Sequence, residues 1–199
     1  MNMQRVIREL IFNNIITNAV IGGGVVDYSE SFLTARFSYN NVWNNTGGNY
    51  LQMTNLTGTD DNISVNPQFA NATAGDYHLK SASGRWDPAT LTWVKDSVTS
   101  PCIDKGNPAT NCEAELWPHG GVVNLGAYGG TSQASKSTDV TAGNAADFNS
   151  DKVVNMADFA LLSLHWMGQE YLSGCDTDSN NQIDINDLNT LAENWLWQE

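Results

Sequence analysis

The chain has no apolar run near the roughly 18 residues a membrane-spanning helix needs, and only nine basic residues among its 199. The first absence predicts no helical membrane span. The second, with a formal net charge of −13, argues against nucleic acid as a partner, because phosphates would be repelled. Cysteine is scarce. Cys102, Cys112 and Cys175 cannot all pair internally. Cys102 and Cys112 are close enough in sequence to close a small loop in an oxidising compartment, and three unpaired thiols fit equally well. A secretory leader pattern is missing too. Arg5, Arg8 and Glu9 interrupt the N-terminal stretch, and no small-residue cleavage site follows a clean apolar run. The expectation is a C-terminal piece of a longer protein, starting in mid-domain.

What is present is acid, unevenly spread. From Asp139 to Glu199 there are eleven acidic residues against one basic residue, Lys152, a net of −10. Carboxylates at that density fit a protein that neutralises them with bound cations.

The same stretch contains an internal repeat with an offset of 29 residues: DFNSDKVVNMADFALLSLHW realigns on DTDSNNQIDINDLNTLAENW. Each copy puts oxygen-bearing side chains at loop positions 1, 3, 5, 9 and 12. In the first loop these are Asp147, Asn149, Asp151, Asn155 and Asp158; in the second, Asp176, Asp178, Asn180, Asp184 and Asp187. Calcium is a hard cation taking six to eight oxygens. Alternate residues of a tight loop turn inward to supply them, and position 7, Val153 or Gln182, adds a backbone carbonyl. Two calcium ions are therefore expected. Apolar position 8, Val154 and Ile183, suits a short strand contact between the loops. Position 6 is Lys152 in one loop and Asn181 in the other. Asn tolerates left-handed backbone and Lys does so poorly, so the first loop is expected to bind more weakly.

A helix is predicted after each loop. Phe159, Leu162 and Trp166 share one face, as do Leu188, Leu191 and Trp195. The first helix also carries Leu161 and Leu164, which predict a second buried face for a partner or for the rest of the chain.

With Asp rather than Glu as the last ligand, and no helix-forming sequence ahead of either loop, the tail resembles the type I dockerin. The resemblance implies a double F-hand that holds calcium and binds a cohesin-like protein or cell-surface scaffold. Partner choice would then rest on loop positions 10 and 11, here Met156, Ala157, Ile185 and Asn186, with Leu161 and Leu164 beside them.

The larger part reads as β structure. Short β-branched and aromatic runs alternate with Asn/Gly turns, and Asn13–Asn14 recurs as Asn40–Asn41 at an offset of 27. A period near that length suits a parallel solenoid. The strings VNPQF, DYHL, SPCIDKGNP and LGAYGG resemble the terminal coils of secreted bacterial right-handed parallel β-helix proteins of the pectate-lyase-like kind. That resemblance implies an extracellular, carbohydrate-rich setting.

No catalytic arrangement is legible. The basic residues Arg5, Arg8, Arg36, Lys80, Arg85, Lys95 and Lys105 are scattered. His78 and His119 have no obvious partner, and Asp60, Asp61, Asp87 and Asp104 read as turn residues. Trp43, Tyr50, Trp86 and Trp93 could stack on sugar rings if exposed, although packing within the body explains them better.

The expected fold class is multidomain β plus α: β-helix coils over residues 1–130, a Gly/Ser/Thr-rich linker over 131–145, and a small all-α double F-hand over 146–199. The expected function is non-catalytic, calcium-dependent attachment of an extracellular carbohydrate-associated protein. The alternative is part of a polysaccharide lyase or glycoside hydrolase whose catalytic coils lie mainly upstream.

Overall fold

A computed structural model describes residues 10–27 and 37–199. Arg5, Arg8, Glu9 and Arg36 lie outside them. Among the described residues, eight short strands come first: β1 (Ile15–Thr17), β2 (Val25–Val26), β3 (Asn41–Trp43), β4 (Tyr50–Leu51), β5 (Phe69–Asn71), β6 (Asp76–Leu79), β7 (Arg85–Asp87) and β8 (Thr92–Val94). Two helices follow, α1 (Met156–Leu164) and α2 (Ile185–Glu193).

The strands form four separate two-stranded sheets. β1–β3 and β2–β4 are parallel, whereas β5–β6 and β7–β8 are antiparallel. In the parallel part, Asn side chains run across the pairs as a ladder. Asn14 Nδ2 donates to Asn40 Oδ1 at 2.9 Å, and Asn40 Nδ2 to Asn62 Oδ1 at 3.2 Å. The ladder corrects the repeat read from sequence: Ile15 sits opposite Asn41, so Asn14 stacks on Asn40, and Asn13 instead accepts from the Asn107 amide at 2.6 Å. The turns stack as closely. A Cβ on Gly47 would lie 1.6 Å from the Gly22 carbonyl oxygen, so only glycine fits.

Among the described residues, the parallel β-helix expected over residues 1–130 is not formed. Parallel pairing reaches as far as the bridge Asn41–Ile63, after which the chain folds back on itself. β5 and β6 close through a turn at Ala72–Ala74, with Gly75 left-handed at φ 82°. β7 and β8 close with Leu91 donating to the Asp87 carbonyl at 2.8 Å and set Trp86 against Trp93, ring centroids 5.8 Å apart. In these hairpins each strand pairs with its neighbour in sequence rather than with a preceding coil.

Among the described residues, two small cores hold this body. Phe37, Val42 and Leu56 make one, and Leu79, Cys102, Ile103 and Leu125 the other. All three cysteines are free; Cys102 is buried and accepts a hydrogen bond from Asn41 Nδ2. The Gly/Ser/Thr-rich stretch after residue 130 is partly built into the body. Ala134, Ser135, Lys136 and Ser137 are buried, Lys136 donates its amide to the Gly84 carbonyl at 2.8 Å, and Ser81 Oγ donates to the Lys136 carbonyl at 2.6 Å.

The tail has a third core of Ala146, Val154, Leu162, Cys175, Ile183 and Leu191. It is not the all-α double F-hand expected. Besides the helix that follows it, each loop is clamped by a β-like contact, so the tail is not all-α. The Val154 amide donates to the Trp197 carbonyl at 2.9 Å and the Leu196 amide to the Val154 carbonyl at 3.0 Å. Ile183 pairs likewise with Met167 and Gly168, at 2.8 and 3.0 Å. Position 8 of each loop thus pairs with the segment trailing the other loop's helix, not with the opposite loop. Both helices are nine residues long, which leaves Trp166 and Trp195 beyond their ends. Those two and Phe159 are about 40% exposed, so Leu162 and Leu191 are the fully buried residues of the inward face, with Leu161 and Leu188 packed beside them.

Candidate metal centre

Each loop is drawn around two carboxylates. In the first, Asp147 accepts the amides of Asp151 and Lys152 at 3.1 and 2.9 Å. Asp158 accepts those of Phe148, Asn149 and Asn155 at 2.8, 3.3 and 2.9 Å. In the second, Asp176 accepts the amides of Asn180 and Asn181 at 3.0 and 2.8 Å. Asp187 accepts those of Thr177 and Asp184 at 2.7 and 2.9 Å. Positions 1 and 12 therefore gather amides from corresponding places in both loops. Asp158 and Asp187 are fully buried.

Residues 4 and 6 of each loop take left-handed backbone: Ser150 and Lys152 at φ 58° and 70°, Ser179 and Asn181 at φ 63° and 67°. Lys152 adopts this conformation despite its Cβ because the Asp147 carboxylate holds its amide.

Position 9 has another task. Asn155 Oδ1 accepts the Ala157 amide at 2.7 Å and Asp184 Oδ1 the Asn186 amide at 2.8 Å. Each caps its helix, and Asp158 or Asp187 closes the reciprocal capping box. That leaves the side chains of positions 1, 3, 5 and 12 as each loop's remaining oxygen donors: Asp147, Asn149, Asp151 and Asp158, then Asp176, Asp178, Asn180 and Asp187. The carbonyls of Val153 and Gln182 sit at position 7. In the second loop, carboxylate oxygens of Asp176, Asp178 and Asp187 lie within 4.8 Å of one another. A hard divalent cation is what such an oxygen set could hold.

The residues expected to bind a partner divide. Met156, Ile185 and Leu164 are 63%, 56% and 77% exposed, and Ala157 and Asn186 are exposed beside them. Leu161 instead packs against the tail's own core.

Upstream of these loops, residues 2–106 match the family described as disaggregatase related. The chain belongs to the disaggregatase-related family. This membership replaces both resemblances read from the sequence, the pectate-lyase-like β-helix and the type I dockerin. The short strings that suggested the first occur here in hairpins and turns, and loops without entering helices suggested the second. No curated protein and no solved structure matches the chain.

In this disaggregatase-related chain the matched span ends before the paired loops begin. The loop carboxylates bear the cost of crowding. Burial raises the Asp176 carboxyl above its ordinary value, the amides of Asn181 and Asn180 lower it, and Asp187 and Asp178 raise it further. Asp147 is raised for the same first reason, with Asp158 and Asp151 adding to it.

Other titratable groups are tied into the body. His78 is buried, with Nδ1 2.6 Å from Asp76 and Nε2 3.2 Å from Gln133, and it stacks on Tyr128 at 3.6 Å. His119 Nδ1 accepts the Gly121 amide at 3.1 Å. Both histidines therefore have partners that their sequence context did not disclose. Trp86 is 2% exposed and offers no free stacking face, and half-buried Tyr50 packs edge-on against Phe37.

Sequence reasoning missed Glu115. It accepts the amides of Asn124 and Gly130 on Oε1 at 2.8 and 2.7 Å, while its buried Oε2 has no partner. Burial pushes this carboxyl up to about 7. Glu115, Trp117 and His119 line a cavity of about 550 Å³ against Asp147, Ser150 and Lys152 of the first loop. A lone Glu in a loop gives no sequence signal of burial.

Proposed function

We propose that the paired loops bind two calcium ions, one each, and that the chain serves calcium-dependent attachment to a partner protein. One observation carries the reading. Two loops of different sequence, 29 residues apart, arrange their first and twelfth carboxylates on matching backbone amides. A hydrogen-bonded loop needs no such concentration of acid, and a net of −10 over the last 61 residues costs free energy unless cations offset it. Calcium supplies that offset and accepts the oxygens on offer.

The attachment surface is the exposed apolar set at the helix starts, Met156 and Ile185, with Leu164 at the end of α1. Side chains of that size left in water suit a surface that a partner covers. An extracellular setting, where calcium is plentiful, fits this use.

Calorimetric titration of the full chain with calcium tests the reading. Two ions per chain are expected, falling to one in Asp187→Ala with the first loop intact. Absence of binding at millimolar calcium overturns it.

A further inference from the structure

The two loops are alike inside and unlike outside. In the second, the two left-handed residues, Ser179 and Asn181, are also ones that reach the β body. Lys136, 8% exposed, donates from Nζ to Ser179 Oγ at 2.7 Å and sits 4.6 Å above the Trp93 ring. Asn181 Nδ2 donates to the Leu91 carbonyl at 3.1 Å. Tyr171, leading into this loop, meets Trp86 edge-on at 6.4 Å. The corresponding residues of the first loop behave differently. Ser150 and Lys152 line the open cavity, and Lys152 pairs with Glu199 of its own module at 2.7 Å.

We propose that the second loop is a calcium-controlled latch: occupied, it presents Ser179 and Asn181 to Lys136 and Leu91 and fastens the tail to the body; emptied, it lets go. The proposal rests on the calcium reading above. Its physical basis is local. Left-handed backbone is unfavourable for Ser and Asn relative to glycine, and here the Asp176 carboxylate offsets that by accepting the Asn180 and Asn181 amides. Four aspartates share this loop, Asp176, Asp178, Asp184 and Asp187. Without a cation, their repulsion is relieved by opening the turn, and opening swings residues 179 and 181 off their body contacts. The first loop has no body contact of this kind at positions 4 and 6, so emptying it leaves the docking in place.

Hydrogen exchange by mass spectrometry on the full chain tests this, with calcium saturating and then chelated. Protection of the segments around Leu91–Trp93 and Lys136 is expected to fall on chelation. A second protein, Ser179→Gly with Asn181→Gly, keeps every ligand position and places glycine at both left-handed sites, so its loop still closes. It is expected to bind two ions while leaving both body segments as exchangeable with calcium as without. Two ions bound with protection unchanged, on chelation or in the double variant, overturns the latch alone. No ion bound overturns the calcium reading and the latch with it.

Discussion

Replacing Glu115 by Gln isolates one buried ionisation. The side chain is 3% exposed, its Oε1 is committed to two amides, and its Oε2 is unpartnered. Folded, the carboxyl titrates at about 7 instead of 4.5. Between those values the native state keeps a proton that the unfolded chain has released. Stability is therefore full below the unfolded value and is lost as pH rises through the folded one. The whole loss amounts to at most about 3 kcal/mol. Gln keeps the Oε1 acceptor and cannot ionise. Its unpaired amide adds a constant offset that does not depend on pH. Urea unfolding of both proteins in saturating calcium, at several values from about pH 4 to about pH 8, gives two stability curves. The variant is expected to gain on the parent by up to about 3 kcal/mol across that range. Parallel curves would refute the reasoning, because they would mean that Glu115 ionises in the folded state as easily as in the unfolded one.

Two further outcomes follow from packing and hydrogen bonding. Leu191 is 1% exposed in the tail core, so Leu191→Ala should cost about 2–5 kcal/mol in calcium-saturated urea unfolding; a loss well under about 1 kcal/mol would mean the tail core is loosely packed. Asn40, fully buried, donates to the carbonyls of Ile11 and Ser38 at 2.9 and 2.8 Å. Asn40→Leu strands those acceptors at about 1–3 kcal/mol each, and a variant as stable as the parent would show that the ladder does not hold the body.

The sequence shows the tail better than the body because the tail's geometry is local. Carboxylates at positions 1 and 12 reach amides within ten residues of themselves, so the oxygen pattern of each loop can be read along the chain. The helices were legible for the same reason, although their capping by Asn155 and Asp184 was not, since these side chains looked like members of the oxygen set. In the body, composition suggested turns and short strands without saying whether neighbours run parallel or fold back. The choice between a continuing coil and a hairpin depends on which backbone arrives alongside.

What the sequence by itself determined is the duplicated loop, the helix after each copy, and the acidity of the tail. Each follows from residues close in the chain. Only the tertiary structure decided that Val154 and Ile183 are clamped by the segments trailing the opposite helices, that Lys136 reaches Ser179, and that Glu115 is buried with one oxygen unpartnered. Those facts join residues between 9 and 43 positions apart, and no local spacing encodes which surfaces meet when the body and the tail pack together.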